Sequence, residues 1–303
     1  VKSPERASKQ LSNTYSIKVG DIRVTTLLDT FAEFPVELLA GISSDAARSR
    51  QLESLRHPRP HVTINCFLIE AGDARILVDS GTGGEPTESE ARLLPELASL
   101  GLHPEDITHI FLTHLHADHA GGVASDTGKS IFPIAKIIAH EAERDFWFNE
   151  PPPDSSAPQL EQFAFTRRLV PLLPQFEWTT AGEILPGIEL VHLPGHTPGH
   201  SGLRVNSKGQ SLLIWGDIVH QPDLQFVSTE VGTVFDVDPK GAIETRRKAM
   251  EAAARTGELT AGMHTDFPAF GRVAQMAENV FRFVPQVWSP VHSEAIRLHP
   301  IRD

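Results

Sequence analysis

The sequence predicts an α/β domain whose sheets mix antiparallel and parallel strands. Three observations carry that prediction. Apolar, β-branched runs alternate with helical stretches, several of the runs come in pairs around two-residue turn signals, and metal-binding side chains cluster directly after strand ends. With 303 residues and 40% hydrophobic content, the chain has enough apolar surface for one large core. Neither a Gly/Ser linker nor a block of like charge divides it, and no internal repeat is visible.

Residues 1–15 are polar and lack apolar periodicity, which predicts an N-terminal tail ahead of a single domain over residues 16–303. The first residue is not Met, so signal removal and a trimmed start both fit, and a cytoplasmic or a periplasmic or secreted location stays open. Residues 16–19 and 22–28 flank Gly20-Asp21, and residues 62–69 and 75–78 flank Gly72-Asp73; both pairs are expected to be hairpins. Thr87 followed by Glu90 predicts a capping box for a helix reaching Leu100, stopped by Gly101 and kinked or divided at Pro95. Residues 107–112 read as a strand, His140 as a helix start and residues 163–165 as helical. Strands are expected over 188–193 and on both sides of Gly209 within 202–215. Asp238-Pro239 opens a helix over 240–256, with Arg246, Arg247 and Lys248 on its solvated face. A short edge strand is expected just ahead of His264.

The chemistry sits behind these strands. His114, His116, Asp118 and His119 follow the strand at 107–112, and Gly121-Gly122 close the segment with a backbone expected to turn tightly. Imidazole nitrogens and carboxylates bind zinc and similar ions. Alternate spacing in an extended loop converges His114 and His116 and turns Asp118 and His119 the other way, so the segment offers ligands to two ions. Further strand-end loops carry His196, Asp217 and His264.

In that order the residues resemble the hydrolases of the metallo-β-lactamase superfamily. Within it the chain is most similar to the methyl parathion hydrolase-like branch, through residues 195–201, 215–220 and 235–240, Phe226, Phe267-Pro268 with Gly271-Arg272, and the pair Phe146-Trp147. The resemblance spans about residues 16–290 and implies an αβ/βα sandwich of two mixed sheets flanked by helices, with a dinuclear site at one edge, and a homodimer. It implies that His114, His116 and His196 hold one ion, Asp118, His119 and His264 the other, and that Asp217 bridges. The implied cofactors are two divalent ions, zinc first, with manganese, cobalt or iron as alternatives. Two ions about 3.5–4 Å apart lower the pKa of a shared water toward roughly 7, giving a hydroxide that attacks a carbonyl or phosphoryl centre without a Ser or Cys nucleophile. Asp118 and Asp217 are thereby catalytic as well as ligating. His220, three residues past Asp217, is a candidate proton donor beside the plainer reading of a structural hydrogen bond, and His200 is expected to hold the His196 loop.

Composition narrows the partners. A net charge of −12 argues against a nucleic-acid groove, and no apolar run approaches the roughly 20 residues of a membrane helix. Phe146, Trp147 and Phe163, around Pro151-Pro152-Pro153, read either as walls of an apolar cleft or as packing of a long insertion. A cleft would take small hydrophobic lactones, aryl esters or phosphotriesters. Metallo-β-lactamases proper often carry Cys where this chain has Asp217; here the single cysteine, Cys66, lies in an apolar strand. The single tyrosine, Tyr15, lies near the N-terminus, so the core supplies no phenolic acid. Two other readings share the ligand set. A glyoxalase-II-like thioesterase is disfavoured because the 39 residues after His264 read as a strand and tail. A di-iron oxidoreductase on the same scaffold is open to the same ligands but lacks a flavin-type domain.

Overall fold

Strands buried on both faces build the first half of the chain into one sheet. The structure, a computed structural model, describes residues 12–84, 91–287 and 289. In chain order the first half supplies β1 (Thr14–Val19), β2 (Ile22–Glu33), the two-residue β3 (Leu39–Ala40), β4 (His61–Ala71), β5 (Ala74–Val78), β6 (His109–Phe111), β7 (Lys136–His140) and β8 (Phe176–Thr179). All but β3 join a seven-stranded sheet in the order β1-β2-β4-β5-β6-β7-β8. Its first pairs are antiparallel hairpins about Gly20 and Gly72, and β5 to β8 run parallel.

The second half repeats the plan. Strands β9 (Gly182–Leu185), β10 (Ile188–His192), β11 (Ser201–Ser207), β12 (Gln210–Ile214), the two-residue β13 (Gly232–Thr233), β14 (Leu259–Ala261), β15 (Gly271–Ala277) and β16 (Val280–Pro285) follow. A second seven-stranded sheet has the order β16-β15-β14-β12-β11-β10-β9, while β13 pairs with β3 in a separate ribbon.

Alternation along the strands fixes the layers. In β4, Phe67 and Ile69 face Ile188, Leu203, Leu212 and Ile214 of the second sheet, whereas Cys66 and Leu68 point outward to a second apolar layer. That outer layer is covered by α2 (Leu93–Ser99), α4 (Glu141–Trp147) and α5 (Ala157–Thr166); α1 (Ser44–Glu53) precedes them in sequence and the one-turn α3 (Ala117–Ala120) lies between α2 and α4. On the far side, α6 (Pro222–Gln225) precedes α7 (Pro239–Thr256), which buries Ala249, Met250 and Ala253 against Leu213, Trp215 and Val273. The result is the αβ/βα sandwich. Asp238 caps α7 through Gly241 N–H at 3.0 Å, and Gly257 ends it with φ +66°, as the sequence leads one to expect.

Several expectations change. The Thr87–Glu90 capping box lies outside the described residues. The described helix starts at Leu93, so Pro95 falls at its third position, where its missing N–H has no intrahelical partner to lose and no kink follows. The strand read over 107–112 is shorter, His109–Phe111. The strand before His264 is no edge: β14 is parallel to β12 on one side and antiparallel to β15 on the other. Arg246 is buried rather than solvated, because its guanidinium donates to the carbonyls of Ile218, Thr229 and Val231. Among the described residues no helix is long and apolar enough to cross a membrane.

Candidate metal centre

The strand ends of both sheets deliver the seven side chains to one place. β6 stops at Phe111, and Asp79, just past the end of neighbouring β5, accepts from Thr113 N–H at 2.7 Å and from Thr113 Oγ1 at 2.8 Å. The chain then bends at Thr113 and His114, is extended at His116, whose ψ is 156°, and winds into α3. Asp118 and His119 therefore sit on a helical turn rather than in the extended loop expected, and this is what turns them away from His114 and His116. The reason for Gly121-Gly122 also differs. Gly121 has φ −63°, an ordinary helical value, but a Cβ there would lie 2.2 Å from Thr82 O, and one on Gly122 would lie 2.1 Å from Ser80 O. The glycines permit close approach of the loop that follows β5.

Asp217 stands at the centre. Its Oδ2 lies 3.7 Å from His114 Nε2, 3.2 Å from His119 Nε2, 3.4 Å from His196 Nε2, 3.3 Å from His264 Nε2 and 3.1 Å from His220 Nε2. On one side His114, His116 and His196 group their ring nitrogens, with His196 Nε2 3.1 Å from His116 Nδ1. On the other, Asp118 Oδ2 lies 3.4 Å from His119 Nε2 and 3.6 Å from His264 Nε2. All seven side chains are brought together.

Outer partners fix the ring orientations. His119 Nδ1 meets Asp79 Oδ2 at 2.6 Å, His196 Nδ1 meets Asp236 Oδ1 at 2.8 Å, and His264 Nδ1 meets Thr63 O at 3.0 Å. In each case the ring N–H donates outward, leaving Nε2 as a ligand atom facing inward. His200 works differently: it accepts Asp217 N–H at Nε2 (2.9 Å) and donates from Nδ1 to Leu193 O (2.7 Å), tying the His196 loop to the bridging residue. Burial, then neighbouring His196, pushes His200 down to about 3, so it stays neutral in this role.

The donor set fits divalent metal ions. His114 Nε2, His119 Nε2 and Asp217 Oδ1 are buried without a hydrogen-bond partner, an expensive arrangement unless a cation claims them. Burial, reinforced by neighbouring imidazoles, holds His114 and His116 well below the usual imidazole range, in the neutral form that ligates. Burial opposes charge on His119 as well, yet Asp217, Asp118 and Asp79 together hold it well above that range, which marks this side as a place that attracts positive charge.

The centre opens into a cavity of about 200 Å³. Its apolar walls are Phe34, Leu38, Val62 and Phe235, and Gln162 and His220 add polar edges. The β3·β13 ribbon brings Leu38 and Phe235 together from opposite halves of the chain. The aromatic residues chosen from sequence lie elsewhere. Trp147 and Phe163 are buried in the outer layer under the helices, and Phe146 packs partly buried against them, because α4 and α5 turn these rings onto one another. Trp147 touches the site from behind, edge-on to His116 at 5.4 Å. His220 is at the cavity, buried, stacked on His264 at 5.1 Å; burial holds it down near 4. Sequence reasoning missed Asp79, Asp236 and Glu143, the last a buried carboxylate between the ligand loops. The signals available were Asp79-Ser80-Gly81 after a strand and Asp236 inside a stretch carrying the family resemblance.

Known proteins share this fold. A model of the metallo-beta-lactamase superfamily matches residues 59–264. An N-acyl homoserine lactonase of Bacillus cereus is 28% identical over 168 residues, covering 49% of this chain and 60% of that protein. The chain thus spans about three-fifths of the length of the curated relatives it matches. Among solved structures, AidC, a dizinc quorum-quenching lactonase in complex with a product N-hexnoyl-L-homoserine, aligns with a TM-score of 0.85 at 26% identity, covering 92% of this chain and 99% of that one. The hydrolase AbOPH of the beta lactamase superfamily aligns with a TM-score of 0.82 at 28% identity, covering 93% and 100%.

Proposed function

Because the chain belongs to the metallo-β-lactamase superfamily, we propose that it is a two-metal hydrolase of small, uncharged esters, with lactones as the first substrate class. The observation that carries this reading is Asp217 Oδ2, held within 3.1–3.7 Å of five imidazole nitrogens between two ligand groups and beside an apolar cavity. His114, His116 and His196 would hold one ion, and Asp118, His119 and His264 the other, with Asp217 shared. When bound, two such ions lower the pKa of water toward roughly 7 and polarise an electrophilic oxygen. Zinc suits a set of imidazole and carboxylate ligands best, with manganese, cobalt and iron as alternatives.

The chain's own residues do the rest. Phe34, Leu38, Val62 and Phe235 desolvate an apolar substituent and exclude charged substrates. Gln162 and His220 supply polar contacts that orient the ester group over Asp217. A lactone also fits what the similar lactonases act on. Aryl esters and phosphotriesters share the same uncharged, polarisable oxygen, so we extend the reading to them as accompanying substrates. A homodimer, implied by the resemblance, predicts twice the chain mass by light scattering.

The test assays zinc-loaded protein on N-hexanoyl homoserine lactone, dihydrocoumarin, an aryl acetate and methyl paraoxon. Lactone turnover that EDTA abolishes and zinc restores is expected. Protein shown to hold two ions yet inert on all four refutes the reading.

A further inference from the structure

We propose that Glu143 is a positioning residue for one ion of the pair: a single buried carboxylate that sets the spacing of the two loops carrying His114, His116 and His196. Its Oε2 accepts Leu115 N–H at 2.9 Å, and Leu115 lies between His114 and His116. Its Oε1 accepts Thr197 Oγ1 at 2.5 Å and Gly199 N–H at 2.8 Å, in the loop that carries His196. Trp147 Nε1 donates to Oε2 at 2.9 Å and anchors the carboxylate within α4. One side chain therefore joins the two loops whose three imidazoles form a ligand group. The approach is close, since a Cβ on Gly199 would lie 2.6 Å from Glu143 N.

The other ligand group is held by different means. His119 rests on Asp79 and His264 on Thr63 O, and neither contact passes through α4. α4 thus joins only the two loops of the three-imidazole ion, beside Thr113 Oγ1 on His114 Nδ1 and Asp236 on His196 Nδ1, and makes no contact with the outer partners of His119 and His264. The inference rests on the two-ion reading of the site and not on any choice of substrate.

All four partners of Glu143 donate, which only a carboxylate can satisfy. An amide must place its NH₂ against one pair. Leu115 N–H and Trp147 Nε1–H cannot turn to accept, whereas Thr197 Oγ1 can, so the amide of Glu143→Gln faces the His196 loop and opposes Gly199 N–H. This variant is therefore expected to loosen the loop around Thr197 and Gly199, with Asp236 still on His196 Nδ1, and to leave His114 and His116 held.

The experiment titrates metal-depleted wild type and Glu143→Gln with zinc against a chromophoric chelator, and repeats the loading with cobalt to read each site from its visible spectrum. His264→Ala serves as the reference for loss of the other ion. The dissociation constant of the three-imidazole ion is expected to rise about 10–100-fold, with the other within about threefold. Thr197→Val, which removes one donor and keeps the side-chain shape, is expected to weaken the same ion by a smaller factor, and decides the matter if Glu143→Gln does not fold. Unchanged constants for both ions, or equal weakening of both, overturns the proposal. Wild type that takes up fewer than two ions overturns it together with the site reading.

Discussion

The sharpest consequence of the geometry concerns Asp79→Asn. The carboxylate of Asp79 accepts Thr113 N–H on Oδ1, and both Thr113 Oγ1 and His119 Nδ1–H on Oδ2. An amide at this position offers one carbonyl oxygen. The backbone N–H of Thr113 cannot become an acceptor, so the oxygen stays with it and the NH₂ faces His119. The imidazole then accepts at Nδ1 and carries its proton on Nε2, the atom 3.4 Å from Asp118 Oδ2 and 3.2 Å from Asp217 Oδ2. A protonated Nε2 is no ligand. Loss of an outer partner of this kind costs about 10–100-fold in metal affinity, or about 1.4–2.7 kcal/mol, and here it falls on the ion with Asp118 and His264. Chelator competition measures the affinity of each ion. Two ions bound with unchanged constants would refute this chain of reasoning.

Three other changes have defined outcomes. Gly122→Ala places a Cβ about 2.1 Å from Ser80 O, a backbone atom that cannot step aside, and should lower stability by about 1–3 kcal/mol; a melting temperature equal to wild type contradicts the close-approach reading. Arg246→Met strips donors from the carbonyls of Ile218, Thr229 and Val231 and should cost about 3–5 kcal/mol in urea unfolding, whereas a cost below about 1 kcal/mol would return Arg246 to the role of a surface charge. Stripping the metals should lower thermal stability by about 2.7 kcal/mol for each ion present at 100 times its dissociation constant; identical melting of stripped and loaded protein would mean that the ligands are not bound in the native state.

The ligands were legible because a short loop concentrates them and because each later one follows a strand. Hairpins at Gly20 and Gly72 were legible for a local reason too, since two residues determine the turn. What escaped is long-range. Asp79 reaches His119 across 40 residues and Asp236 reaches His196 across 40, and no local period announces either contact. The cavity walls escaped for the same reason: Leu38 and Phe235 meet through two-residue strands too short to show alternation. Phe146, Trp147 and Phe163 misled because aromatic residues near a site are equally good core, and only the facing of α4 and α5 decides between the two. Arg246 reads as a solvated charge until the loop over 218–231 is seen to wrap around it.

Each sheet is built from one half of the chain, so the seven ligands are split: His114, His116, Asp118 and His119 from the first half, His196, Asp217 and His264 from the second. A loaded centre would act as a rivet through the seam. Neither half carries enough ligands to complete both ion sites by itself, so tight uptake of the pair would report that the halves have docked. A chain nicked between Thr179 and Gly182 would rejoin into a working whole most readily where free zinc is plentiful.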